Sequence, residues 1–366
     1  MPGRPTHGTD LAGASRLAIE AVTGVTELVE AVHMNVLNKA IGTPVVRPIA
    51  GITSFVYRSV KGVTRLVGGS LDVVLERLVP ALGEPAGWKG RDAVLAALNG
   101  VLGDRLEQSR NPLAIPMRLH VRGAPGPRIA VMAHGLCMND QQWLRDGADH
   151  GAMLERELGY TPVYLHYNSG RHISVNGREF GARLQELVDG WPVPVEEIVI
   201  VGHSMGGLVA RSACQYGHAW LGRLRSMVFL GTPHHGAPLE RGGNWVHLIT
   251  DLTPYSAPFS RLAKIRSAGI TDLRHGSVRD EDWAGKDRFA HGAAPQVLPL
   301  PPKVRCFAMA ATLGKEHSDL GDGLVPLASA LGQPGLDMEH ATVYQANHMQ
   351  LLSSPEAGRQ ILSWLS

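Results

Sequence analysis

Cysteine, net charge and long apolar runs are all scarce in this sequence. It has three cysteines among 366 residues, and so small and odd a number argues against a disulfide scaffold. The formal net charge of +2 gives no reason to expect a nucleic-acid partner. No apolar run approaches the length that spans a bilayer, and residues 1–10 lack the apolar core of a secretion signal. These absences predict a cytoplasmic protein.

The composition that is present suits a folded protein. Hydrophobic residues make up 44% and charged residues 19%, which predicts a packed core rather than a disordered chain. Apolar residues at helical spacing predict an N-terminal helical extension over residues 1–115, with its last helix near 94–102. Arg58, Lys61 and Arg65 form a basic stripe within it. A solvated face is the favoured interpretation of the stripe, and peripheral contact with an anionic membrane surface is the alternative.

From residue 116 onward the apolar pattern becomes that of strands alternating with helices. This alternation is typical of an α/β protein whose mostly parallel sheet is covered by helices on both faces. Strands are predicted near residues 117–121, 129–133, 162–167, 198–201, 227–231, 304–309 and 342–344. The sequence therefore predicts a catalytic domain over residues 116–366.

The run from Gly202 to Gly206 has the pattern Gly-x-Ser-x-Gly between a buried β-branched strand and a helix. A turn sharp enough to raise a serine hydroxyl above a sheet strains the serine backbone, and the two glycines leave room for neighbouring chain segments. The helix that follows points its free N–H groups towards charge that develops near the serine. We therefore predict that Ser204 is a nucleophile.

A serine hydroxyl needs a base to take its proton, and the base needs an acid to orient it. In this architecture the chain order is serine, acid, histidine. Asp322 comes after the strand near residue 309, and His348 follows the last strand. The carboxyl ends of parallel strands share one edge, so both residues can reach Ser204. Asp319 is the rival acid, and turn formation or calcium binding is the alternative role for either carboxylate.

Attack on an acyl carbonyl creates an oxyanion, which fixed backbone donors stabilise. One donor is expected directly after the nucleophile, at the N–H of Met205. The second is expected in the loop after an earlier strand, and His134-Gly135-Leu136 is that loop. We predict that the N–H of Leu136 supplies it.

The interval near residues 237–300 interrupts the alternation of strands and helices. It is long for a loop in a compact domain, and it begins at the carboxyl end of a strand beside the nucleophile strand. Long insertions at this position are usually functional, so we predict a lid that covers the site. Its predicted substrate-binding residues form an apolar set: Trp245, Leu248, Leu252, Tyr255 and Phe259.

Two further features are given structural rather than chemical roles. His234 and His235 resemble a metal pair, but adjacent residues seldom face one ion and no clear additional ligand set accompanies them. Cys137 has no activating partner in the sequence, so we predict a buried hydrophobe. No metal and no cofactor are expected.

Four motifs together resemble the α/β-hydrolase superfamily over residues 118–366. Within it the chain is similar to bacterial triacylglycerol lipases and esterases and to the group resembling GPI inositol-deacylases. The resemblance implies that Ser204, Asp322 and His348 form a triad, with Leu136 and Met205 as oxyanion donors and a lid after Gly236. The motifs are His134–Leu136, Gly202–Gly207, Gly231–Gly236 and Asp322–Pro326.

We therefore expect a serine hydrolase that cleaves carboxylic esters of hydrophobic or lipid-like substrates through an acyl-enzyme on Ser204. An acyltransferase with the same triad is the first alternative, because the two differ only in whether water or an alcohol attacks the acyl-enzyme. A non-catalytic binding protein that retains the fold is the second. The expected partner is a small-molecule or lipid ester.

Overall fold

The computed structural model describes residues 91–237, 267–286, 297–316 and 320–366. The helices predicted before residue 91, the basic stripe and most of the predicted lid lie outside these ranges. The chain divides into two compact units, one formed by Met1–Arg91 and Gln108–Leu113 and the other by Asp92–Glu107 and Ala114–Ser366. The second unit holds the sheet.

Strands and helices alternate along the described residues. The strands are β1 Arg118–Val121, β2 Arg128–Ala133, β3 Thr161–His166, β4 Glu197–His203, β5 Leu224–Leu230, β6 Arg305–Thr312 and β7 Glu339–Tyr344. The α-helices are α1 Arg91–Gln108, α2 His150–Leu158, α3 Ile173–Asp189, α4 Met205–Ala213, α5 Ala268–His275, α6 Asp280–Trp283, α7 Leu327–Ala330 and α8 Pro355–Leu365. None of the helices in these ranges is long and apolar enough to cross a membrane.

The strands form one sheet in the order β1-β3-β2-β4-β5-β6-β7. β1 pairs with β3 antiparallel, and every other neighbouring pair is parallel. At the centre, Gly202 of β4 lies beside Ala133 of β2 and Phe229 of β5. All residues after the first in β2 and in β4 are buried, so both faces of the sheet are covered. The predicted mostly parallel, doubly covered sheet is confirmed.

Strands β5 and β6 are among those that are longer than the sequence pattern predicts. β5 begins at Leu224, three residues before the predicted start. Arg225 interrupts the apolar run in the sequence, but its side chain is exposed, so the strand can include it. β6 continues to Thr312 through small buried residues that give no strong strand signal. In both cases tertiary pairing extends the strand beyond its β-branched centre.

Helix α1 is buried from Val94 to Gly103 and packs on loops of the sheet. A Cβ on Gly100 would lie 2.2 Å from Cys137 Sγ, and one on Gly103 would lie 1.8 Å from Asn168 Oδ1. Asn168 Nδ2 also donates to the Gly103 carbonyl at 2.9 Å. Most of α1 therefore belongs to the same compact unit as the sheet. The division of the chain at residue 115 stays a prediction.

Helix α2 connects the sheet to the segment after β7. The Asp149 carboxylate accepts two N–H groups of the first turn of α2, and Tyr164 Oη of β3 donates to it at 2.6 Å. The next residue, His150, is buried, and its Nε2 donates to the Leu351 carbonyl at 2.8 Å. Leu351 lies in the 3-10 helix His348–Leu352. The start of α2 thus supports the segment that carries His348.

We expect Asp149→Ala to lower the free energy of unfolding by about 1–2 kcal/mol, because α2 loses its N-cap. Tyr164→Phe removes only the hydroxyl bond, so a loss of about 1 kcal/mol is expected. Urea denaturation measures both values. The matched control is Glu157→Ala at the exposed end of α2, expected to change stability by less than about 0.5 kcal/mol. Equal stability of Asp149→Ala and Glu157→Ala would contradict the capping role.

Candidate active site

Ser204 stands between β4 and α4 with φ 53° and ψ −124°, a backbone conformation that residues other than glycine rarely adopt. Its N–H donates to the Leu230 carbonyl at 2.8 Å, which ties it to the end of β5. A Cβ on Gly206 would lie 2.2 Å from the carbonyl oxygen of Ala133 at the end of β2. Only glycine fits there, as the elbow pattern predicts, and α4 can begin directly after the serine.

The structure brings Asp322 and His348 together. His348 Nδ1 donates to Asp322 Oδ2 at 2.6 Å, and both side chains are buried. The other carboxylate oxygen accepts the N–H groups of Leu324 at 2.9 Å and Val325 at 2.8 Å. The carboxylate is therefore held from both sides, and it keeps the imidazole proton on Nδ1. The rival acid, Asp319, lies outside the described residues.

His348 lies beside the serine elbow. A Cβ on Gly231, the residue after β5, would lie 2.9 Å from His348 Cε1, and the rings of His203 and His348 are 4.7 Å apart at their centroids. Among the described residues, the buried Nε2 of His348 has no hydrogen-bond partner, the Ser204 hydroxyl included. Such bonds are often long in ligand-free enzymes. The lone pair of a neutral imidazole protonated on Nδ1 lies at Nε2, where it can accept a proton.

Both predicted oxyanion donors belong to segments that contact or adjoin Ser204. The loop after β2 passes close to the serine, because a Cβ on Gly135 would lie 3.0 Å from Ser204 Cβ. Leu136 follows in that loop and is buried, and Met205 is the first residue of α4. Within the part of the chain that the structure describes, neither N–H has a hydrogen-bond acceptor. The role of these two N–H groups as oxyanion donors stays a prediction.

The loop after β2 is held by contacts that the sequence analysis missed. Tyr167 Oη donates to the His134 carbonyl at 2.8 Å, and the N–H of Cys137 donates to Ser169 Oγ at 3.0 Å. At the far end, the buried carboxylate of Asp140 contacts the side chains of His120 in β1, Arg122 directly after β1 and His166 at the end of β3. Tyr167 and Ser169 directly follow β3, so their position at the carboxyl edge of the sheet was the available signal.

Two buried histidines near the elbow are neutral. Burial lowers the pKa of His134 to about 3. Burial, together with the nearby His348, lowers the pKa of His203 well below its ordinary value. The Nε2 of His203 then donates to the His348 carbonyl at 3.2 Å. A neutral His203 adds no positive charge beside the His348 ring.

The His234 and His235 pair lies in the loop after β5. His234 is buried, and its Nδ1 accepts from Arg211 Nη1 at 3.1 Å. Burial lowers the pKa of the Arg211 guanidinium to about 10, and the same side chain donates to the Leu298 carbonyl. In the described ranges no group of three or more His, Cys, Asp or Glu side chains could hold a metal ion. The contact of His234 is with α4, and the absence of a metal stays a prediction.

The thiol of Cys137 is buried, and burial raises its pKa to about 12, so it is protonated near neutral pH. Of the predicted lid, the structure describes residue 237, residues 267–286, which hold α5 and α6, and residues 297–300. The predicted substrate-binding residues all fall outside the described ranges: Trp245, Leu248, Leu252, Tyr255 and Phe259.

Comparison with known proteins finds one family model that matches part of the chain and several solved structures that are similar to it. The family model of the PGAP1-like alpha/beta domain matches residues 182–298, which include β4 and Ser204. No curated protein matches the sequence.

Among solved structures, the mature form of lipase BlEst2 from Bacillus licheniformis is 17% identical, with 69% of this chain and 98% of that chain covered and a TM-score of 0.47. Esterase RhEst1 from Rhodococcus sp. is 13% identical, with 69% and 95% covered and a TM-score of 0.42. A lipase-esterase related protein from Clostridium acetobutylicum is 14% identical, with 68% and 99% covered and a TM-score of 0.41.

The fold is therefore assigned from the topology of the sheet and from the serine elbow. The central parallel strand ends at a strained serine, and the last two strands lead to a buried aspartate–histidine pair. In this arrangement the chain has the α/β-hydrolase fold, and it is similar to bacterial lipases and esterases and, over residues 182–298, to the PGAP1-like alpha/beta domain.

Proposed function

We propose that the protein is a serine hydrolase that cleaves carboxylic esters of hydrophobic or lipid-like substrates. The observation that carries the proposal is the buried Asp322–His348 pair, whose imidazole lies 4.7 Å, ring centroid to ring centroid, from His203, the residue before the strained Ser204. A carboxylate that holds the imidazole proton on Nδ1 leaves the lone pair on Nε2, and a serine becomes a nucleophile when such a nitrogen takes its hydroxyl proton.

In the proposed mechanism, Ser204 Oγ attacks the ester carbonyl while His348 Nε2 takes the hydroxyl proton. The imidazolium that forms is stabilised by the ionised Asp322 at Nδ1. The N–H groups of Leu136 and Met205 stabilise the oxyanion. His348 then gives its proton to the leaving alcohol, and an acyl-enzyme remains on Ser204. Water, deprotonated by the same nitrogen, releases the acid and restores the serine.

The proposed substrate class rests on the apolar residues of the insertion. This segment leaves the sheet at the carboxyl end of β5, beside the nucleophile strand, where ligands of open α/β sheets bind. The solved structures of similar fold named above are described as lipases and esterases. We therefore extend the proposal to a lid over residues 237–300 that supplies the acyl pocket.

Ser204→Ala is expected to lower kcat for p-nitrophenyl esters by about 10⁴–10⁶-fold, because the nucleophile is removed. Its melting temperature should match that of the native protein. Labelling by a fluorophosphonate probe should disappear in parallel. Turnover at the native rate in Ser204→Ala would end the serine-nucleophile proposal.

Product analysis with added methanol separates hydrolysis from acyl transfer, and a methyl ester as the dominant product would favour the transferase.

Asp322→Asn is expected to lower kcat by about 10⁴-fold, because the amide no longer favours the required tautomer or stabilises the imidazolium. The matched control is Asp272→Asn. Asp272 is also buried, and its Oδ2 lies 3.0 Å from His172 Nδ1, but it belongs to α5 and not to the serine elbow. That variant, like Asp319→Asn, should keep kcat within about fivefold of the native value. A larger loss in Asp319→Asn than in Asp322→Asn would identify Asp319 as the acid.

Shortening the proposed pocket should change which acyl chain is preferred. Leu248→Ala or Leu252→Ala is expected to alter discrimination by about 1 kcal/mol for each methylene contact that is lost. The measurement is kcat/KM across p-nitrophenyl esters of increasing acyl length, with thermal melting as the control for stability. An unchanged preference after deletion of the segment would contradict the lid.

A further inference from the structure

His203, the last residue of β4, is fully buried beside the proposed nucleophile. It occupies a variable position of the Gly-x-Ser-x-Gly pattern, so the turn itself does not require a histidine there. Burial, with a smaller effect of the nearby His348, lowers the pKa of His203 well below its ordinary value, which keeps the ring neutral. The contacts of its two nitrogens indicate what this neutral ring does.

The Nε2 of His203 reaches the main chain of the proposed base. It donates to the His348 carbonyl at 3.2 Å, so the neutral ring carries its proton on Nε2. The Nδ1 of His203 lies against the loop after β2, because a Cβ on Gly135 would be 3.3 Å from it. The ring of His203 is thus packed between the proposed oxyanion loop and the proposed base.

His348 is held to Asp322 by two hydrogen bonds. Besides the bond from Nδ1 to the carboxylate at 2.6 Å, the His348 N–H donates to the Asp322 carbonyl at 3.2 Å. These bonds fix the base relative to the acid, but neither of them reaches Ser204. Within the described part of the chain, the bond from His203 is the only hydrogen bond that joins this pair to the elbow residues 202–207.

Loss of the His203 bond would leave the acid–base pair intact but without a polar contact to the elbow. Transfer of the Ser204 proton to His348 Nε2 requires the two atoms to come within hydrogen-bond distance. A displacement of about 1 Å in an active site can lower the rate by about 10²-fold. The position of the His348 main chain relative to the elbow therefore affects the chemical step directly.

We propose that His203 is a positioning residue for the base, whose Nε2–H holds the His348 main chain at the elbow so that His348 Nε2 stays within reach of the Ser204 hydroxyl. The inference rests on the proposed ester hydrolysis. In this role His203 transfers no proton. The position before the nucleophile then requires a side-chain donor of suitable length, in addition to the two glycines that the turn requires.

The test measures kcat and KM on a p-nitrophenyl ester in variants of His203. His203→Phe keeps a ring but removes the donor, and it is expected to lower kcat by about 10–100-fold with KM within about twofold. His203→Gln should keep kcat within about fivefold of native, because its amide nitrogen is as many bonds from Cα as the imidazole Nε2 and can donate to the same carbonyl. A kcat within about twofold of native in His203→Phe, or an equal loss in His203→Gln, would overturn the proposal.

The matched control is His234→Phe. His234 is also buried and its pKa is also lowered by burial, but its Nδ1 contacts Arg211 in α4 and not the His348 main chain. This variant should lose stability in thermal melting and keep kcat within about threefold of native. A loss of kcat as large as that of His203→Phe would overturn the proposal, since the effect would then follow from replacing any buried histidine.

The order of the two His203 variants separates donation from packing. If His203 only filled space, the polar and flexible glutamine would be the more damaging substitute in a buried site, and phenylalanine the milder one. The proposal expects the opposite order in kcat, whatever the order of the melting temperatures. His203→Leu also lacks a donor, and it replaces His203→Phe if that variant does not fold.

Proton NMR gives a readout that needs no catalysis. The proton of the short bond between His348 and Asp322 is expected far downfield, and it should remain there in His203→Phe because the pair itself stays intact. Loss of this signal in His203→Phe would overturn the proposal. Retained turnover in Ser204→Ala would instead show that the proposed function fails, so the two failures are distinguishable.

Discussion

The carbonyl of Ala133 lies so close to Gly206 that no side chain fits between β2 and the first turn of α4. This contact lets the helix begin one residue after Ser204, and it forces the serine into a backbone conformation that only surrounding packing can maintain. In the proposed mechanism the strain has a chemical use. It presents the hydroxyl above the sheet while the first free N–H groups of α4 point at the same place.

Strand order determines what can reach that hydroxyl. β4 lies between β2 and β5, so the loops after these two strands adjoin the serine directly. Asp322 follows β6 and His348 follows β7, and both strands lie farther from β4 than β2 and β5 do. The two residues span this distance because they are hydrogen-bonded to each other. Their 2.6 Å hydrogen bond is buried, and His348 is supported by α2 through His150 and Leu351. The proposed acid and base therefore follow the strands β6 and β7, and the proposed oxyanion loop follows the central strand β2.

Much of this arrangement could be predicted from sequence because it has a local mark. The glycines around Ser204, and the positions of Asp322 and His348 at strand ends, follow from the order of strands along the chain. The contacts that support them have no such mark. Ser169 reads as an ordinary turn residue, and Gly100 as a weak point in a helix, until the fold places both against Cys137. Hydrogen bonds between distant segments leave no periodic pattern, so only the structure shows them.

Helix α1 has a consequence for the order in which the chain folds. Its residues contact partners far along the sequence: Ala97 meets Cys137 at a separation of 40, Gly103 meets Asn168 at 65, and Gly100 meets Ser267 at 167. During synthesis α1 leaves the ribosome before any of them. Its apolar run is buried against these partners only after β3 and the residues around Ser267 have emerged. Docking of α1 is therefore a late event, and the support of the oxyanion loop is completed only when most of the chain has been made.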